Sequence, residues 1–255
     1  GLFNTSFHHT MPAKAYMYAL PYEYYENDKV RRYGFHGTSH KYVAARAAAM
    51  LGKDPSELKL ISCHLGNGSS VTAIDAGKSI DTSMGFTPIA GLPMGTRCGD
   101  IDAGIMEYLM NKHGMDITEM LSIMNKKSGV LGISGVSSDF RDLEAAGKEG
   151  NQRAALAVEV FEYGVKKLIG SYAAAMGGVD AIVFGGGIGR NSASVRQMSL
   201  EGLEFLGAEL DADKNKNCTG GDDLSKEGSK VRIFVVDTNE EIVVARKAKS
   251  LLESK

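Results

Sequence analysis

Two glycine loops, a loop histidine and a loop arginine are the features whose residue types could do chemistry together. The first loop, Gly66-Asn67-Gly68, breaks an apolar run opened by Leu58, Leu60 and Ile61, and Val71, Ala73 and Ile74 resume it. Its residues tolerate positive φ and offer backbone N–H groups and small polar side chains with little bulk between them. Such a concavity suits an anion, phosphate above all. The same residues equally satisfy an ordinary hairpin turn. The second loop, Gly185-Gly186-Gly187-Ile188-Gly189-Arg190-Asn191-Ser192, follows an apolar run at 179–184. It fails the dinucleotide fingerprint at Arg190, where Gly or Ala is needed. A P-loop is absent too, because Gly77-Lys78-Ser79 has Thr72 where the first glycine should stand. What remains suits close approach of a nucleotide to a capped helix.

Arg97 is the single cation of a long segment, 81–104, that also holds Gly85, Pro88, Gly91, Pro93, Gly95 and Gly99. Long irregular segments in compact domains tend to be functional, and a guanidinium there can fork a carboxylate or phosphate. His36 sits on a glycine-flanked loop. His40 follows four residues later, but no third ligand completes a zinc set. His8 and His9 are strand neighbours that would face opposite ways. A tyrosine cluster at 14–34 is accompanied by Lys29, Arg31 and Arg32, too few cations for a nucleic-acid surface, which favours packing over base stacking.

The elements that must hold these side chains follow from periodicity. Residues 58–80 read as strand, turn, strand, turn and a third short strand. Residues 1–12 read as the end of a strand and a polar loop. Thr38 or Ser39 can cap a helix running to about Leu51, with Gly52 as its stop. Helices are expected at 102–113 and 116–125, then a glycine-broken link at 128–138, then a polar helix after Asp139-Phe140-Arg141. In 151–176, Ala155, Val158, Phe161, Val165, Leu168, Ile169 and Tyr172 share one stripe, which is core or a subunit interface. A buried strand at 179–184, a helix at 192–207, a polar excursion at 211–230, a strand at 231–236 and a helix at 240–252 complete the chain.

Composition narrows the function classes. A net charge of −2, from 29 basic and 31 acidic residues, gives no footprint for nucleic acid or an anionic membrane. Cys63, Cys98 and Cys218 fit neither a disulfide framework nor a zinc site, so a reducing, cytoplasmic location is expected. No apolar run approaches membrane-spanning length and no signal peptide is recognisable. The chain opens at Gly1 and runs straight into Leu2-Phe3 as if cut inside a strand, so a processed or truncated product is expected.

The stretches RRYGFHGTSH (31–40), SCHLGNGSSV (62–71), DTSMGFTPIAGLPMGTRCGDID (81–102), SSDFRD (137–142), FGGGIGRNS (184–192) and TNEEIVVAR (238–246) resemble the acetate kinases. These belong to the superfamily of acetate and sugar kinases, heat-shock ATPases and actin. The resemblance implies an α/β protein with a ribonuclease H-like (actin-like ATPase) domain, a mixed sheet flanked by helices. It implies Mg²⁺-dependent (or Mn²⁺-dependent), direct in-line transfer of the ATP γ-phosphoryl group to acetate, giving acetyl phosphate and ADP. His36 would stand near the transferred group and Arg97 would grip acetate and the transition state. Glu240 would fix the metal. His64, Gly66, Asn67 and Gly68 would line the phosphates. Asp139, Phe140, Arg141, Gly187, Ile188 and Asn191 would frame the nucleoside, and Phe35 and Pro88 would form part of the methyl pocket. Acetate is already an anion, so the reaction needs alignment and positive charge rather than a general base, with Arg97, His36 and Mg²⁺ supplying the charge.

The resemblance also implies a further N-terminal domain. Residues 1–5 would be the end of a strand from it, 6–241 the nucleotide-binding domain, and 242–255 a helix packing back on it. A homodimer is implied as well. Asn4 stands where the family has a catalytic Asp, which keeps the shape and removes the charge. The expectation is therefore a chain that binds nucleotide but is nearly inactive alone. The alternatives are a propionate kinase, or a non-catalytic nucleotide-binding or dimerisation fragment.

Overall fold

Alternation along short branched strands builds one five-stranded sheet. Its strands are β1 (Lys59–Leu65), β2 (Ser69–Asp75), β3 (Lys78–Thr82), β4 (Ala181–Gly185) and β5 (Arg232–Val235). The computed structural model describes residues 4–238 and 245. The order across the sheet is β3-β2-β1-β4-β5. β1 pairs antiparallel with β2 and β2 with β3, while β1–β4 and β4–β5 are parallel. Only β2 therefore runs against the rest, the topology of a ribonuclease H-like domain. Ala76 (φ 49°) and Gly77 (φ 74°) make the tight β2–β3 turn.

The helices are α1 (Ala13–Tyr16), α2 (Tyr22–Asp28), α3 (Gly37–Leu51), α4 (Ala103–His113), α5 (Ile117–Lys126), α6 (Gly129–Ser134), α7 (Phe140–Lys148), α8 (Gln152–Met176), α9 (Gly186–Asn191), α10 (Ala193–Leu200) and α11 (Ala212–Lys216). Strand periodicity divides the sheet between two cores. Ile61, Cys63, Leu65, Val71 and Ala73 face α8 through Val158, Phe161, Val165 and Ile169. Leu60, Ile74, Ala181 and Val183 face α3 through Val43, Ala44, Ala47 and Ala48. The predicted stripe on α8 is thus intramolecular core, although Ala155 and Leu168 at its margin are only half-buried.

Several expectations need correction. Residues 6–10 form a 3₁₀ helix that buries His8 completely, and residues 1–3 lie outside the described set. The link at 128–138 contains α6, entered through Gly129 in the left-handed region (φ 62°). The Gly185–Ser192 segment is the short helix α9, reached through Gly186 (φ 75°). The helix expected at 192–207 stops at Leu200 and continues as a 3₁₀ turn, Glu204–Leu206, because Gly202 and Gly207 take positive φ. The polar excursion at 211–230 holds α11, capped by Asp211. α3 lacks a side-chain cap, since Thr38 and Ser39 are turned to other partners and His36 occupies the cap position. The helix expected at 240–252 lies outside the described residues apart from Ala245.

Candidate active site

Parallel pairing fixes where chemistry can occur. β1, β4 and β5 end on the same edge of the sheet, so the segments after them converge, as ligand loops do in open α/β sheets. A Cβ at Gly186 would run into the Leu65 carbonyl, so the chain from β4 lies flush on the end of β1. A Cβ at Gly66 would stand 4.0 Å from the Gly187 nitrogen. The two glycine segments thus form opposite lips of one cleft.

That cleft opens into a cavity of about 660 Å³. Gly66 and Asn67 line it from the β1–β2 turn, Asp139, Phe140 and Arg141 from the start of α7, and Gly187, Ile188 and Asn191 from α9. Of the ten residues expected around the nucleotide, all but Gly68 and His64 are gathered there. The Arg141 guanidinium holds the Asp139 carboxyl down at about 2, and Asp139 caps α7. Sequence reasoning missed Ser138, Glu144 and Ser192, which also line the cavity. Ser192 donates to Glu144 Oε1 at 2.6 Å while capping α10. The spacing Phe140 to Glu144, one helical turn, was the available signal. A larger cavity, about 730 Å³, lies between Leu92, Gly129 and the outer side of α8 and contains none of the expected site residues.

His36 and Arg97 meet at the end of the Gly66–Gly68 turn. A Cβ on Gly68 would be 3.4 Å from both Arg97 Nη1 and His36 Nε2. Arg97 is placed by its loop: Gly95 N–H donates to the Asn67 carbonyl, and Arg97 Nη1 donates to the Pro88 carbonyl at 3.2 Å. Pro88 is thereby brought to the arginine. His36 has φ 55° and leads into α3. Its Nδ1 lies 2.9 Å from Ser70 Oγ, and its ring stacks on His64 at 4.2 Å between centroids. His64 Nδ1 lies 2.9 Å from Ser39 Oγ. Phe35 is tethered through its carbonyl, which accepts from His8 Nε2 at 2.8 Å.

Burial lowers His36 to about 3, with the His64 and Arg97 neighbours adding to the effect, and burial lowers His64 to about 4. Burial therefore disfavours the charged form of both imidazoles. Burial thus disfavours charge on His36, which the sequence reading expects to share in the positive charge, while Arg97 brings a guanidinium to the same place.

Asn4 reaches the same corner. Its carbonyl accepts from Gly37 N–H at 2.8 Å and its Oδ1 accepts from Thr38 Oγ1 at 3.1 Å. Glu240 lies outside the described residues. Among the described residues no group of three or more His, Cys, Asp or Glu side chains is placed to hold a metal ion. No helix among them is long and apolar enough to cross a membrane.

Comparison with known proteins agrees with this geometry. The chain matches the acetokinase family over residues 1–246. It is 58% identical over 253 residues to an acetate kinase of Halothermothrix orenii, covering 99% of this chain and 64% of that protein. The crystal structure of the Porphyromonas gingivalis acetate kinase superposes with a TM-score of 0.96 at 48% identity, over 99% of this chain and 63% of that one. A propionate kinase from Francisella tularensis superposes with a TM-score of 0.91 at 43% identity, over 96% of this chain and 62% of that one. The chain thus spans a little under two thirds of these relatives' length. With the sheet order, the paired glycine segments and a match along nearly all its residues in accord, the chain belongs to the acetokinase family.

Proposed function

We propose that these residues carry the nucleotide-binding part of an enzyme that transfers the γ-phosphoryl group of ATP to acetate. The observation that carries the reading is the convergence of His36 and Arg97 on Gly68, the residue after Asn67, which lines the cavity. In this reading the nucleoside occupies the cavity framed by Asp139, Phe140, Arg141, Gly187, Ile188 and Asn191. The phosphates run over Gly66, Asn67 and Gly68 toward His64, His36 and Arg97. Phosphoryl transfer through a loose transition state asks for alignment and stabilisation of the equatorial oxygens. Arg97 provides charge and a fork of donors, His36 a neutral donor, and Phe35 and Pro88 apolar surface for the acceptor's methyl group.

Residues 6–241 form the nucleotide-binding domain in this reading, with 1–5 and 242–255 associated with a further domain. Asn4 is an amide hydrogen-bonded to Thr38, so it adds shape and no charge at that corner. Mg²⁺ (or Mn²⁺) accompanies the nucleotide, with Glu240 as its proposed residue; the described residues hold no group of three or more His, Cys, Asp or Glu placed for a metal ion, and they are assigned no metal step. A cytoplasmic homodimer is part of the same proposal.

Calorimetric titration with ATP and a hydroxylamine assay for acetyl phosphate test this directly. The expected result is measurable ATP binding with very low acetyl phosphate formation by the 255 residues alone. Absence of ATP binding would refute the reading, and robust turnover would refute its claim that the 255 residues are nearly inactive alone. The propionate kinase likeness supports a second acceptor. One methylene in an apolar pocket discriminates by about 10- to 200-fold, so the ratio of kcat/KM for acetate and propionate separates the two.

A further inference from the structure

Behind His36 lies a chain of buried polar side chains that the proposed reaction does not touch. Strand alternation turns Ser62 of β1 and Ser70 of β2 onto the α3 side of the sheet, and α3 presents His40 there. His40 and Ser70 are fully buried and Ser62 nearly so. His40 Nδ1 lies 2.8 Å from Ser62 Oγ, His40 Nε2 lies 2.7 Å from Ser70 Oγ, and Ser70 Oγ lies 2.9 Å from His36 Nδ1. The four side chains form one unbranched line ending at His36 Nε2, which faces Gly68 and Arg97.

A hydroxyl has one proton, so with Ser70 donating along the line there are two directions; a Ser70 that accepted from both imidazoles would leave its own proton without an acceptor among the described residues. In one, Ser62 donates to His40 Nδ1, His40 Nε2–H donates to Ser70, and Ser70 donates to His36 Nδ1. His36 then carries its proton on Nε2. In the other, every bond reverses, and His36 Nε2 shows a lone pair to the site. The reversed direction leaves the Ser62 hydroxyl proton without an acceptor, because Ser62 Oγ makes no other hydrogen bond among the described residues. A buried donor left without an acceptor is disfavoured enough to decide between the two.

We propose that Ser70 and His40 are positioning residues that lock His36 in the Nε2–H tautomer, so that it presents a donor to the phosphoryl oxygens beside Arg97. The lock needs no charged imidazole, which accords with the burial that keeps His40 and His36 neutral. A lone pair in the same place would repel an anion, whereas Nε2–H and the Arg97 guanidinium act on it together. The inference rests on the proposed phosphoryl-transfer reading for its purpose, and on the hydrogen-bond geometry for its content.

Long-range proton–nitrogen NMR on the ¹⁵N-histidine-labelled chain tests it. The expected spectrum shows His36 as a single tautomer, Nε2 proton-bearing and Nδ1 bare. In Ser70→Ala that single tautomer is lost to an average of the two, and affinity for ATP falls about tenfold. A wild-type His36 protonated on Nδ1, or already averaged, overturns the inference without recourse to any variant. So does a folded Ser70→Ala protein whose His36 keeps Nε2–H. Titration with ATP separates the two claims. If ATP fails to bind while the tautomer is as stated, the functional reading falls and the lock stands. If ATP binds and perturbs His36 protonated on Nδ1, the lock falls and the functional reading stands.

Discussion

His36 and Arg97 meet at Gly68, so near that one methyl group there would stand 3.4 Å from both Nε2 and Nη1. Both contacts are ordinary van der Waals distances, and Gly68 is not among the glycines with positive φ. Gly68→Ala should therefore fold with a stability change within about 0.5 kcal/mol. The methyl would occupy the place assigned to a phosphate oxygen, and ATP affinity should drop at least about tenfold, a loss of about 1.4 kcal/mol. Calorimetry and a thermal melt on the same sample check both halves.

Gly187 offers a cleaner block of the nucleoside. Nothing lies within 4 Å of a Cβ placed there, and the residue lines the cavity wall. Gly187→Leu should keep the fold while its side chain fills part of the 660 Å³ space. Nucleotide binding should fall by about 100-fold or more, near the loss of about 3 kcal/mol that blocking a ligand's seat implies. Inorganic phosphate or pyrophosphate binding should change little, which distinguishes an occluded nucleoside site from a damaged phosphate site.

The wall behind that cavity is core. Phe140 lines the cavity and packs edge-to-face on Phe161 at 4.7 Å, and Phe161 is fully buried. Phe161→Ala should cost about 3–5 kcal/mol of stability. It should also weaken ATP binding, because Phe140 loses its support. Urea unfolding gives the first number and calorimetry the second; unchanged ATP affinity in the folded variant would show that Phe140 is held by other contacts.

Acid should destabilise the fold through the same histidines. In the folded chain His8 and His64 are lowered to about 4 and His36 to about 3, chiefly by burial, against an ordinary value of 6.5. Between pH 6.5 and about 4 the unfolded chain binds more protons than the folded one, so unfolding free energy falls as pH falls. Stability is full above pH 6.5, and the loss approaches about 1.4 kcal/mol per pH unit per histidine within the window. Urea midpoints measured at pH 7, 6 and 5 should decline with increasing steepness. A flat profile would mean these imidazoles gain protons without unfolding.

Much of the arrangement was legible in residues alone. Alternation gave β1 to β3 and the turns between them, because a period of two and glycine-rich breaks are local properties. Asp102, Asp116, Asp139 and Asn151 stand at helix starts where their side chains accept from the first turn. The cap of α3 was misread because Thr38 and Ser39 have partners distant in sequence, Asn4 and His64. The link at 128–138 hid α6, since Gly129 and Gly135 bound a turn of helix that packing on α8 stabilises.

By itself the sequence determined the strand pattern, the amphipathic α8 and the motif stretches that carry the family, all properties of neighbours along the chain. Only the tertiary structure decided that His36 and Arg97 meet at Gly68, and that His36 is buried where charge is disfavoured. The reason is physical. Charge state depends on burial and on groups brought from β2, α3 and the Arg97 loop, and no spacing along one strand encodes that meeting.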